Sequence, residues 1–307
     1  MTSIIRELQQ LPFFSQQIIV DVVEITSGLS QQSYKVICDD NIYYAKYFAH
    51  CADNNNRTTE KIHLANIEKE VLLKSKHFNI TFPLLFNSEQ WLITPYFEIS
   101  DLNQAAIPLK VKIEQCVDLM FTFQQIPVSR TVIKPIDFTF HFTALFNLLD
   151  LTKEQQKKLN QILLLNEYSN SSAQVLCHGD LNFSNIVHLK NDKISAKVID
   201  FECCCFADIE YDIAMMIAVN NLFNFSDIDE IIVFIKQLLK VKKINIDPAM
   251  VMRYLYTCLI LNGLWFLVRF QQTKLTKWQL LANEQFTQAD SLNMNDFLLT
   301  RFFKTQR

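Results

Sequence analysis

Hydrophobic and polar positions change their period along the chain, and the change divides it. Ile, Val, Tyr and Phe crowd segments 17–25, 33–38 and 41–48, which are separated by turn-forming Ser27-Gly28 and Asp39-Asp40-Asn41. Short β-branched and aromatic runs bounded in this way predict consecutive antiparallel strands. From Thr59 to Lys76 the apolar residues Ile62, Ala65, Ile67, Leu72 and Leu73 follow helical spacing, after which Pro83 and the run Trp91 to Thr94 return to strand character. Past residue 98 the helical period dominates, at 109–125, 139–149, 152–166, 208–222, 227–240, 248–270 and 278–287, with a hairpin pattern at 186–189 and 194–199. The expectation is an α+β chain of two lobes, a small antiparallel-sheet lobe over residues 1–97 and a larger, mainly helical lobe over residues 98–307.

Composition adds bounds rather than a function. With 307 residues, half of them apolar, the chain has ample material for two lobes around a cleft. Its net charge is only −3 and it carries no long Lys/Arg run, so nothing points to nucleic acid or an anionic membrane, and a small-molecule partner fits better. Residues 1–14 lack the sustained apolar core of a secretory signal. Tyr254 to Val268, bounded by Arg253 and Arg269, is shorter than the ~20 residues that a membrane span needs, and reads as a buried helix. Eight cysteines include the run Cys203-Cys204-Cys205, which matches no zinc spacing and suits a reducing, cytoplasmic setting.

Chemistry enters with His178-Gly179-Asp180-Leu181-Asn182-Phe183-Ser184-Asn185, followed fifteen residues after Asn185 by Asp200-Phe201-Glu202. Six His and three Gly make His-Gly-Asp rare by chance, with ~0.003 occurrences expected in such a chain. Phosphoryl transfer asks the protein for a positioned base and for oxygen ligands that hold metal ions across the phosphates. Asp180 is the candidate base, Asn185 offers an amide oxygen, and Asp200, after the buried-strand pattern Val198-Ile199, offers a second hard oxygen ligand. Glu202, two residues on, shares the side of Asp200 if the strand continues. His178 reads as a loop brace through hydrogen bonds to backbone.

These motifs resemble those of the choline/ethanolamine kinase, thiamine kinase and aminoglycoside phosphotransferase group, built on a protein-kinase-like fold. Its catalytic segment, His-Gly-Asp or His-Asn-Asp, four residues, then Asn, and its metal segment, Ile-Asp-x-Glu, are matched by His178 to Asn185 and Ile199 to Glu202. The resemblance implies an ATP- and Mg²⁺-dependent small-molecule kinase with ATP bound between its lobes. It assigns the single-glycine phosphate loop to Ser27, Gly28, Leu29 and Ser30, the phosphate-binding lysine to Lys46, and the adenine-facing hinge to Pro95, Tyr96 and Phe97. The lysine's carboxylate partner falls to Glu70, from Asn66-x-x-x-Glu70, with Glu68 as the competitor. Asn182, Glu202 and Trp265 fall on the acceptor side. Trp265 closes a segment similar to Trp-Gly-Leu-Trp in which Asn262 replaces the first Trp, and Cys203 stands where that group has an aromatic ring. Asp212, in a stretch similar to the group's Asp-x-Ala helix start, reads as a helix cap. The acidic residues Glu202, Asp208, Glu210 and Asp212 would suit a cationic alcohol such as choline, ethanolamine, thiamine or an aminoglycoside. A nucleotide-sensing pseudokinase or scaffold is the alternative of another class. No Asp-Phe-Gly to Ala-Pro-Glu segment follows Asp200, which argues against a protein substrate.

Overall fold

The first three predicted strands form where the alternating pattern places them. A computed structural model describes residues 2–26, 31–48, 57–149, 151–165, 174–190, 192–225, 227–292 and Leu299. It opens with a helix, α1 (Thr2–Gln9), and a 3₁₀ turn at Pro12–Phe14, followed by β1 (Ile19–Ile25), β2 (Gln32–Cys38) and β3 (Ile42–Tyr47). After α2 (Arg57–Lys74) come β4 (Phe86–Asn87) and β5 (Trp91–Pro95), which complete an antiparallel sheet of order β1-β2-β3-β5-β4. Its core gathers Val22, Tyr34, Val36, Tyr43, Ala45, Trp91 and Ile93 against Leu8 and Phe14. Thus α1 caps one face of the sheet, and Trp91 Nε1 donates to Glu7 Oε1 at 3.2 Å.

The remaining elements are β6 (Ile99–Asp101), α3 (Leu109–Phe123), α4 (Phe138–Leu148), α5 (Lys153–Leu165), β7 (Val175–Cys177), β8 (Ile186–Leu189), β9 (Asp192–Val198), β10 (Cys205–Ala207), α6 (Ile209–Val219), α7 (Ile228–Val241), α8 (Pro248–Thr273) and α9 (Thr276–Ser291). Strand β6 joins the β8–β9 hairpin, and β7 pairs with β10.

Two units, each discontinuous in sequence, divide the chain: residues 1–108, 121–134 and 183–204 form the first, and residues 109–120, 135–182 and 205–307 the second. The first runs past residue 97 and takes in the β8–β9 hairpin because β6 pairs with β8 in register Asp101↔Val187. In the second, α8 packs against both α6 and α9. Asp247 caps α8 by accepting from Ala249 N–H, with Pro248 in its first turn, so the helix starts where the 248–270 pattern places it. At 26 residues it is long and apolar enough to cross a membrane, yet two-thirds of its most apolar window is buried inside the fold, as in a core helix.

Candidate active site

In the first unit the site is built on β3 and on the open end of the β8–β9 hairpin. Lys46, on β3, is 5% exposed, and its Nζ lies 2.7 Å from Glu68 Oε2 and 2.9 Å from Asp200 Oδ1. Burial alone would strip its proton, but the Glu68 and Asp200 carboxylates outweigh that and hold the ammonium well above the ordinary lysine range. Burial pushes Glu68 up against the pull of Lys46. The ladder pair Ile186↔Val198 is followed by a bond from Ile199 N–H to Asn185 O at 3.0 Å. One hairpin therefore sets Asn185 and Asp200 at the same end, with Asn185 buried. Phe201, next to Asp200, stacks on Phe123 with centroids 5.8 Å apart. Asp200 itself adopts a left-handed backbone, φ 67°, uncommon for a residue with a Cβ.

In the second unit β7 leads into His178 to Asn182, the part of the predicted catalytic segment that carries Asp180, and α6 holds it. Gly179 has φ 74°, the left-handed conformation that glycine adopts without steric cost. The amides of His178 and Gly179 donate to Asp212 Oδ2 and Oδ1 at 3.1 and 2.9 Å. The buried His178 ring accepts the Asp180 amide on Nδ1 at 3.3 Å, which is the brace expected of it. Asn182 N–H returns to Asp180 O at 2.8 Å. Asp180 is half-buried at the bend that these bonds define.

Several expectations are corrected. Glu68, not Glu70, pairs with Lys46: Glu70, two positions along the helix and so rotated away, accepts from Ser129 N–H at 2.9 Å. Glu202 does not share a strand face with Asp200, because β9 ends at Val198 and the left-handed Asp200 turns the chain. Its charge still acts on Lys46 and Glu68. Asp212 is no helix cap. Asp208 occupies that position without a capping bond, and Asp212, fully buried one turn into α6, serves the catalytic segment instead. An aspartate set among Tyr211, Ile213, Ala214 and Met215 is the signal that could have revealed this, since a carboxylate in an apolar stretch needs buried donors.

The acidic cluster is largely spent internally: Asp208 takes the Tyr254 hydroxyl at 2.8 Å and Glu210 the Asp247 amide at 3.0 Å. Trp265 is 38% exposed on α8, edge-on to Trp278, with the Arg269 guanidinium 5.7 Å from its ring. Pro95 ends β5. Tyr96 N–H is already donated to Ile42 O at 3.0 Å, and Phe97 stacks on Phe82. Ser27, Gly28, Leu29 and Ser30 lie outside the described residues.

Comparison with known proteins agrees with this geometry. The family model of the "Phosphotransferase enzyme family" matches residues 136–237. A sequence search of curated proteins finds no match. Among solved structures, choline kinase LicA from Streptococcus pneumoniae superposes with a TM-score of 0.71 at 14% identity, over 95% of this chain and 98% of that one. The same protein has been solved in complex with AMP. An ethanolamine kinase from Plasmodium vivax gives 0.63 at 17% identity, over 88% and 81% of the two chains. A spectinomycin phosphotransferase, in complex with ADP and spectinomycin, gives 0.59 at 13%, over 95% and 97%. Fold, catalytic segment and family match together define the chain as a small-molecule phosphotransferase with a protein-kinase-like fold. The likeness is to choline kinases, ethanolamine kinases and antibiotic phosphotransferases, the group that the motifs resemble.

Proposed function

We propose that the chain transfers the γ-phosphate of ATP, with Mg²⁺, to a hydroxyl of a small amine-bearing molecule in a reducing, cytoplasmic setting. The observation that carries this reading is Lys46, buried and bridged between Glu68 and Asp200 at 2.7 and 2.9 Å. A cation fixed in this way has no need of a further neutralising partner and is preorganised to meet phosphate oxygens. Asn185 and Asp200 are hard oxygen donors set at one hairpin end. No group of three or more His, Cys, Asp or Glu among the described residues is placed to hold a metal. Two protein ligands fit Mg²⁺, which takes few carboxylates and completes its shell with phosphates and water. Asn185 and Asp200 would hold Mg²⁺, which when bound would supply positive charge to offset that of the phosphates. Asp180 would accept the proton of the attacking hydroxyl. Cationic acceptors, bearing an amine or a quaternary ammonium, are supported by the choline, ethanolamine and spectinomycin of the structural likenesses. Asp208, Glu210 and Asp212 are engaged internally, and the resemblance keeps the Glu202 carboxylate and the Trp265 ring as the kinds of group that a cationic acceptor would meet.

ATP consumption with Mg²⁺ is measured across choline, ethanolamine, thiamine, aminoglycosides and neutral sugars, beside Asp180→Ala. Turnover that depends on an amine-bearing acceptor and vanishes in Asp180→Ala, with ATP still bound, is the expected result. Turnover undiminished in that variant would remove Asp180 as the base. Tight nucleotide binding without turnover on any acceptor would favour a nucleotide-sensing role. Asp200→Ala is expected to abolish the Mg²⁺ dependence of nucleotide affinity, and equal affinity with and without Mg²⁺ in the wild-type protein would overturn the metal assignment.

A further inference from the structure

We propose that Asn220, at the C-terminal end of α6, is a positioning residue that fixes the catalytic segment around Asp180, a role that rests on the phosphotransfer reading above. Helix α6 reaches that segment twice. Near its start Asp212 accepts the amides of His178 and Gly179, just before Asp180. At its end, eight residues on and ~12 Å along the axis, Asn220 Nδ2 donates to Leu181 O at 3.0 Å, just after Asp180. An acceptor holds the donors on one side of Asp180, and a donor holds the acceptor on the other. The bonds from Asp180 N–H to His178 Nδ1 and from Asn182 N–H to Asp180 O close the bend between them.

The chemistry at Asn220 is specific. Its Nδ2 carries two protons and spends both on carbonyls, on Leu181 O and, at 2.8 Å, on Met216 O one turn back in its own helix. Two carbonyl oxygens converging on one atom require a donor pair. Aspartate, of the same shape, would set a carboxylate against both. The helix end that presents Asn220 is itself tied down: Asn221, in a left-handed conformation with φ 52°, donates to Glu284 Oε1 of α9 at 2.7 Å and accepts from Gln288. Asn224 donates to the same Glu284 oxygen at 3.1 Å.

The test compares kcat and the KM for ATP of the wild type, Asn220→Asp and Asn220→Ala from pH 6 to 9, with a thermal melt of each. Amide hydrogen exchange over residues 178–185 is followed in parallel. Losing the donor pair is expected to lower kcat by about 10- to 100-fold in Asn220→Asp at high pH, with the KM for ATP within about 2-fold. Relative to wild type, that variant recovers as pH falls, because a protonated carboxyl can again donate to one carbonyl. Asn220→Ala loses activity by a factor that does not change with pH. Faster exchange at residues 179–182 accompanies both. Wild-type kcat for Asn220→Asp at high pH would overturn the proposal. A deficit of Asn220→Asp that is constant across pH and tracks a fallen melting temperature would also overturn it, since it marks a merely structural role. A wild type inactive on every acceptor, whose segment is protected and is released in Asn220→Asp at high pH, would sink the phosphotransfer reading while retaining the clamp.

Discussion

Two buried ionisable residues, the Lys46 ammonium in the first unit and the Asp212 carboxyl in the second, each make a prediction. Lys46 is shared between Glu68 and Asp200, so Glu68→Gln leaves it one ionic partner and frees its stem to move. A loss of about 10- to 100-fold in kcat/KM for ATP is expected for Glu68→Gln. Glu70→Gln is expected to stay within about 2-fold of wild type, because a glutamine oxygen can still accept from Ser129 N–H. Steady-state kinetics on the two variants decide it, and the reverse ranking would return the ion pair to Glu70. Asp212 tests linkage. Burial pushes its carboxyl from the ordinary 3.8 up to about 6, with the amides of Gly179 and His178 pulling the other way. A folded pKa above the unfolded one means that folding takes up a proton in between. The contribution is therefore fully present below pH 3.8 and is lost as pH rises through about 6. At 1.36 kcal/mol per pKa unit the change amounts to about 3 kcal/mol. Urea unfolding of wild type and Asp212→Asn between pH 4 and 7.5 should show wild type losing about 2 kcal/mol of this relative to the variant as pH rises, and a pH-independent difference would refute it.

At the scale of elements, the α8–α9 contact is the most sensitive. Gly263 lies where a Cβ would come within 2.5 Å of a Phe286 ring carbon, and Phe286 is fully buried. Gly263→Ala forces that ring or the helix pair to shift, at a cost of about 1–3 kcal/mol. Chemical denaturation should register it as a lower midpoint, and unchanged stability would mean that α9 yields freely. Which elements were legible in the sequence follows from length and period. Strands β1 to β3, the β8–β9 hairpin and the seven helical patterns from α3 to α9 have enough residues to display alternation or helical spacing. Strands β4, β6, β7 and β10 are two or three residues long, too short to carry a period, and exist because tertiary pairing recruits them. Helix α1 escaped because its apolar side is short and is completed only by the sheet that it caps, through Leu8. The pattern over 248–270 marked α8 from its first residue and fell short only of its last turn, which the left-handed Lys274 ends.

Across the whole molecule the site was legible wherever neighbours in sequence are neighbours in chemistry. His178 to Asn185 and Asp200 sit on short loops beside strands that fix them, so spacing alone named them. In the first unit Glu68 reaches Lys46, and in the second Asn220 reaches Leu181 O, each from a helix distant in sequence, so helix rotation rather than spacing decided that they and not their neighbours arrive. The same division between surface and interior governs the cysteines. Of the seven described, Cys38, Cys116, Cys177, Cys204, Cys205 and Cys258 are buried and Cys203 is exposed, and all seven are free thiols. Burial pushes the thiols of Cys116, Cys205 and Cys258 upward, which removes the reactive thiolate, and the nearby Asp212 carboxylate adds to the effect. Brief alkylation of the native protein, mapped by mass spectrometry, should label Cys203 first among these seven. The other six should react only on the timescale of opening or after denaturant. Fast labelling of Cys205 or Cys258 in native buffer would show that the α6–α8 core opens readily, which the buried Asp212 and its two amide bonds argue against. A melting temperature unchanged by reductant should accompany the labelling pattern, since no disulfide joins these seven cysteines and the packing of each unit carries its stability alone.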